Sequence, residues 1–228
     1  MGNSEYQKIM KEVKAVNNTI IKHIKTNRKS NIEQYYRGVC ILFTPLISNA
    51  AILILGENSG SGYYKENNKI RNWYKPLRHN EYVTENYQLA KNVKDIFSDI
   101  DKYELLLRSV KTNFYYFISD NLKSLKRLIH RVYEDIGIDI ENKSQDWTER
   151  MIRIVNPKII LCEGFGAFNY LSSIPCGKIR KTKDLEYVKQ GVYNGIQIIG
   201  FKRIYSNIFE KKKFTEDFLA LIENAGIA

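Results

Sequence analysis

The sequence predicts a three-layer αβα domain with a mostly parallel central sheet. Near-continuous apolar runs, Ala50 to Leu55 and Lys158 to Cys162, read as strands buried on both faces, which is how a parallel sheet reads. Segments of helical periodicity alternate with them, as helices covering such a sheet do. No internal repeat, low-complexity tract or linker interrupts the 228 residues. One domain over 1–228 is therefore expected, with 1–30 as an N-terminal helical extension.

In chain order, Glu5 to Lys25 reads as an amphipathic helix, because Ile9, Val13, Val16, Ile20, Ile21 and Ile24 recur at helical spacing with Lys between them. Asn31 to Ser48 reads as a connection with a short apolar stretch, Val39 to Phe43. The strand Ala50 to Leu55 runs into Gly56-Glu57-Asn58-Ser59-Gly60, which reads as a sharp strand-to-loop turn followed by a Gly/Ser/Tyr loop to Tyr64. Val83 to Ile100 reads as a helix. Leu105 to Leu107 with Val110 to Phe117 reads as a second strand carrying the polar pair Thr112-Asn113. Leu122 to Gly137 is a helix stopped by glycine, and Trp147 to Val155 a helix closed by Asn156-Pro157. After the strand Lys158 to Cys162 come a helix from Ala167 to Leu171, strands at Leu185 to Val188 and Ile196 to Phe201, and a closing helix from Phe214 to Ala225, begun by Thr215-Glu216-Asp217.

Composition narrows the function classes. There are 36 basic and 25 acidic residues, a formal charge of +11, which favours a polyanionic partner, nucleic acid first. Lys outnumbers Arg, and Asn, Ile and Tyr are abundant, so AT-rich coding accounts for part of that charge. No apolar run approaches the ~20 residues of a membrane helix. Met1 to Ser30 is charged throughout, without a signal-peptide core, so no membrane association and a cytoplasmic location are expected. Cys40, Cys162 and Cys176 are widely spaced and form no Cys-x-x-Cys pair; the isolated His23, His79 and His130 have no partners for a zinc site or a catalytic triad. No metal and no cofactor are expected, and the chain is expected to be a monomer.

In an open α/β sheet, ligands bind beyond the carboxyl ends of the strands. Ile54 to Gly62 lacks the Lys-Ser/Thr ending of a P-loop and the Gly-x-Gly-x-x-Gly spacing of a dinucleotide site. Taken alone it reads equally as an ordinary tight βα turn. Four segments occur in one order: Ile52-Leu53-Ile54-Leu55-Gly56-Glu57-Asn58-Ser59-Gly60; Val110-Lys111-Thr112-Asn113-Phe114; Ile154-Val155-Asn156-Pro157-Lys158-Ile159-Ile160-Leu161-Cys162-Glu163-Gly164; and Gly200-Phe201-Lys202-Arg203-Ile204-Tyr205-Ser206. Their order resembles the uracil-DNA glycosylase superfamily across roughly Ala50 to Leu221. That family has a strand ending in Gly-x-(Asn/Asp/Ala)-Pro-Gly, a second strand carrying Asn, a Pro-Lys-x-Ile strand ending in Gly, and a last strand ending in His-Pro-Ser.

The resemblance implies a uracil-DNA glycosylase-like fold and base-excision chemistry in DNA repair: a hydrolase acting on DNA, single-stranded DNA included, without a cofactor. Asn58 would position the attacking water, with Glu57 as the second candidate. Tyr63 or Tyr64 would stack on the flipped base, Asn113 would read its edge, and Gly56 and Gly60 would shape the turn. Ser206 would contact phosphate with Lys202, Arg203, Lys211 and Lys212 beside it, and Asn207 to Lys213 would enter the duplex. Two departures stand out. Ser59 replaces the family's proline, and Ile204-Tyr205 stands where His-Pro is expected, leaving Arg203 as the nearby cation. The same fold without that histidine also reads as a non-catalytic nucleic-acid-binding module, or as a nucleotide-binding protein using the Gly56 turn.

Overall fold

A computed structural model describes residues 2–27, 30–59, 71–174 and 178–227. The chain divides into two compact units: Met1–Leu42, Asn58–Pro76 and Asn113–Ile154 form the first, and Phe43–Glu57, Leu77–Thr112 and Val155–Ala228 the second. The helices are α1 (Gly2–Thr26), α2 (Glu81–Thr84), α3 (Gln88–Asp99), α4 (Tyr103–Leu107), α5 (Leu122–Ile136), α6 (Ile140–Val155), α7 (Phe165–Leu171) and α8 (Lys211–Asn224). The strands are β1 (Gly38–Cys40), β2 (Ile52–Asn58), β3 (Arg71–Trp73), β4 (Val110–Tyr115), β5 (Phe117–Ile118), β6 (Ile159–Cys162), β7 (Ile179–Asp184), β8 (Val188–Tyr193), β9 (Ile196–Phe201), β10 (Arg203–Ile204) and β11 (Asn207–Ile208).

The first unit packs α1, α5 and α6 with a small sheet of order β3-β1-β5. The helical spacing of α1 puts Tyr6, Ile9, Val13, Val16 and Ile20 in its core. Asn17, on the same buried face, gives its amide to Asn72 Oδ1 at 3.1 Å and Tyr74 Oη at 2.6 Å, and accepts from the Tyr36 hydroxyl. Trp147 of α6 stacks on Tyr116 with ring centroids 5.8 Å apart, and its Nε1 donates to Glu12 of α1 at 2.9 Å. Arg150, one turn further along α6, donates to Glu5, Glu12 and Asp146 at 2.7–3.0 Å. Helix α5 ends at Gly137, whose φ of +75° suits a residue without a Cβ.

The second unit is built on a six-stranded sheet of order β4-β2-β6-β9-β8-β7. β2, β6 and β9 are parallel neighbours, in register Ile52↔Ile159 and Ile159↔Gln197. β9, β8 and β7 then continue as an antiparallel meander. Strand alternation sorts the side chains. Ile52, Ile54, Ile159, Leu161, Ile199 and Phe201 form one buried face with Val93, Ile96 and Phe97 of α3 and Phe214, Phe218 and Ile222 of α8. On the other face Gly200 lies against α7, where an added Cβ would meet the Phe168 Cβ at 3.3 Å. Helices therefore cover both faces of the parallel strands, and the α/β class with a central sheet is as the sequence predicts.

Several boundaries differ from expectation. β2 continues through Gly56, Glu57 and Asn58 instead of turning at Gly56. Leu105 to Leu107 belong to the single-turn helix α4, with Leu106 buried and Leu107 turned outward. The region read as one helix from Val83 breaks into α2 and α3. Leu185 is 44% exposed in the connection between β7 and β8, not a strand residue. α8 starts at Lys211, so Thr215 to Asp217 fall in its second turn and Lys211 to Lys213 in its first, not in a loop.

Candidate functional site

The sheet order locates the site. From β2 the chain goes to β4 on one side, then crosses to β6 and β9 on the other. The direction of winding reverses at β2 and β6, and the carboxyl ends of such strands are where open α/β sheets hold ligands. β2 ends in Glu57 and Asn58, and β6 ends at Cys162, followed by Glu163 and Gly164.

In the second unit these ends carry a buried polar network. Glu163 is 4% exposed and accepts a hydrogen bond from the Tyr82 hydroxyl. The Tyr82 ring lies under the ammonium of Lys111, 3.9 Å from its centroid. Lys111 pairs with Glu81 at 3.7 Å, and Glu81 accepts from the Tyr87 hydroxyl. Every charge here has an opposite charge or a phenol beside it, as burial demands. Burial first, then the Glu163 carboxylate, raises the Tyr82 phenol well above its ordinary range, so it stays a proton donor. Burial and Glu163 likewise push the Cys162 thiol up, which removes it as a nucleophile at neutral pH.

Glu57 leaves β2 on the face of Leu53 and Leu55, towards Gly166 in the first turn of α7. A Cβ at Gly166 would stand 2.4 Å from Glu57 Oε2, so any larger residue there would make this carboxylate shift. Asn58, one residue on, points to the opposite side of the strand. The two sequence candidates for holding water therefore stand on opposite faces of β2.

Asn58 opens the part of the first unit that carries the other expected site residues. Its Nδ2 donates to the Ser59 carbonyl at 3.2 Å. Asn113, in the middle of β4 and 4% exposed, donates its amide to Ser59 Oγ at 2.8 Å. Asn58, Ser59 and Asn113 are thus brought together, 54 residues apart in sequence for the Ser59–Asn113 pair. Ser59, read in the sequence only as a missing proline, supplies a hydroxyl that proline lacks. Tyr63, Tyr64 and Gly60 lie outside the described residues.

The expected DNA-contact residues belong to the second unit. Arg203 folds back over Gly164, donating from Nε to the Glu163 carbonyl at 3.1 Å and from Nη1 to the Tyr205 carbonyl at 3.1 Å. Gly164 has φ +106°, and a Cβ there would meet Arg203 Nε at 3.3 Å. Lys202 pairs with Glu186 at 3.0 Å and Lys211 with Asp95 at 2.8 Å, while Lys212 is exposed. Ser206 sits in the two-residue turn between β10 and β11, its carbonyl held by Asn92 Nδ2 at 2.7 Å. Sequence reading missed the turn's other residue: Tyr205, with φ +55°, is 91% exposed, and Ile204 beside it 58%. An apolar pair where His-Pro was expected was the available signal. Also missed was the Glu163–Tyr82–Lys111–Glu81 network, whose partners lie too far apart in sequence for spacing to show.

Among the described residues no cluster of His, Cys, Asp or Glu has the grouping of a metal site, and no helix is long and apolar enough to cross a membrane. No protein-family model matches the sequence, and a search of curated proteins finds no match.

Proposed function

We propose that the protein is a DNA glycosylase-like enzyme, similar to the uracil-DNA glycosylase superfamily, that hydrolyses the N-glycosidic bond of a flipped deaminated base such as uracil. The observation that supports this reading is the buried Asn113 amide anchored to Ser59 next to Asn58. One amide hydrogen of Asn113 is held by Ser59 Oγ, which sets the orientation of the group. Oδ1 and the second hydrogen are then an acceptor–donor pair suited to a Watson–Crick edge. A base must leave the stack to reach such a pocket. Asn58 holds the water. The water oxygen bonds to C1′ as the C1′–N bond breaks, the bonding pair leaves with the base, and the proton shed by the water ends on that base. Glu57 is the second candidate for the water, and because it leaves β2 on the face opposite Asn58 the two are alternatives, not partners. Ser206, Lys202, Arg203, Lys211 and Lys212 serve the phosphates, and the exposed Ile204-Tyr205 turn supplies an apolar wedge of the kind that unstacks base steps.

A second reading is favoured by Arg203. One hydrogen on Nε and one on Nη1 are taken by backbone carbonyls, and the family's histidine is replaced by Ile204-Tyr205. On that reading the fold binds nucleic acid without cutting. Single-turnover release of free base from oligonucleotides containing uracil or hypoxanthine separates the two. The first reading predicts release by the native protein and a loss of about 100-fold or more in Asn58→Ala. Salt-dependent DNA binding with no release from any modified base selects the second.

A further inference from the structure

Helix α5 carries a cationic face outside all of the residues discussed above. Its buried side is Leu125, Leu128 and Val132. The other side displays Lys123, Lys126, Arg127 and His130, all exposed and spaced i, i+3, i+4 and i+7. With Leu122 these four side chains line a shallow depression of about 480 Å³. The stripe extends about 10 Å along the helix, at 1.5 Å of rise per residue. Arg127 is steadied over the ring of Tyr35, 5.8 Å from its centroid.

The charge of this face is not cancelled locally. Lys181, Lys183, Lys202, Lys211 and Lys213 each lie within 2.6–3.0 Å of a carboxylate, whereas the exposed Lys11, Lys14, Lys22 and Lys25 of α1, like this face, have no carboxylate at ion-pair distance among the described residues. Among the described residues no carboxylate stands at ion-pair distance from Lys123, Lys126 or Arg127; Glu134, at the end of the stripe, pairs with His130 and Arg131. Three cations without ion pairs, Lys123, Lys126 and Arg127, in a shallow depression on a chain of net charge +11, are complementary to a regular polyanion.

We infer that this face of α5 is a docking surface for the phosphate backbone of duplex DNA, independent of base identity. It extends the proposed function, resting on DNA as the partner but not on catalysis. Each cation–phosphate contact releases counterions and contributes about −0.9 to the slope of log K against log salt.

The test is fluorescence anisotropy with an undamaged, random-sequence duplex across a salt series, using the full chain and the Lys123→Gln, Lys126→Gln, Arg127→Gln variant. All three positions are exposed, so thermal melting serves as the control for folding. The expected result is affinity about tenfold or more weaker and a slope shallower by about 2–3, with the melting temperature unchanged. Equal affinity and slope in both proteins would overturn the inference and leave base excision standing, as would base release by a native protein that fails to bind the undamaged duplex. Weakened binding by the variant, with no base release by either protein, keeps the docking surface and removes the catalytic reading.

Discussion

A single hydroxyl decides how Glu163 is kept. Tyr82 is fully buried and its phenol is the donor to a carboxylate that is itself 4% exposed. Tyr82→Phe preserves ring volume and the stacking surface for Lys111 but leaves Glu163 without that donor. The expected cost is about 1–3 kcal/mol, read as a lower denaturation midpoint with an unchanged m-value. A change within about 0.5 kcal/mol would show that Glu163 finds another partner. This network was not legible in the sequence, because Tyr82 and Glu163 are 81 residues apart and neither stands in a recognisable spacing. Asn113 was singled out by its place in the order of motifs, as a polar residue in an apolar strand, while its bond to Ser59 Oγ was not legible because the two are 54 residues apart.

At the level of elements, strands buried on both faces declared themselves. β2, β6 and β9 are rich in Ile and Leu, and such runs have one plausible place in an α/β fold. β7 was missed because it is Ile179-Arg180-Lys181-Thr182-Lys183-Asp184, an edge strand largely exposed and protected by charge, which has no apolar alternation to read. The α1–α6 contact carries a pH dependence of its own. Burial acts to raise the Glu12 carboxyl, but hydrogen bonds from Arg150 and Trp147 together with the Arg150 charge outweigh it and hold the group below the ordinary value of 4.5, and hydrogen bonds from Lys8 and Arg150 lower Glu5. Carboxylates lowered by folding add stability above their ordinary value and lose it as pH falls through the folded one. The melting temperature is therefore expected to drop below about pH 4.5, and Arg150→Met to flatten that acid limb. An acid limb identical in the variant would remove Arg150 from the account. The β10–β11 hairpin makes a separate prediction. Tyr205 is 91% exposed, so Tyr205→Ala is expected to leave the melting temperature unchanged while weakening DNA affinity, measured by anisotropy.

For the molecule as a whole, sheet order brings residues far apart in sequence to neighbouring strand ends. Winding that reverses at β2 and β6 gathers Glu57 and Glu163 at neighbouring strand ends. The Asn58–Ser59–Asn113 group and the cationic face of α5 then supply base reading and backbone binding in the proposed function. The most direct test of that function is single-turnover formation of abasic sites in uracil- and hypoxanthine-containing oligonucleotides, comparing the native chain with the Glu57→Ala, Asn58→Ala double variant. Abasic product is expected with the native chain and its loss in the double variant, with DNA binding retained by both. Product formed at the native rate by the double variant, or none formed by the native chain from any deaminated base, would contradict the proposed function.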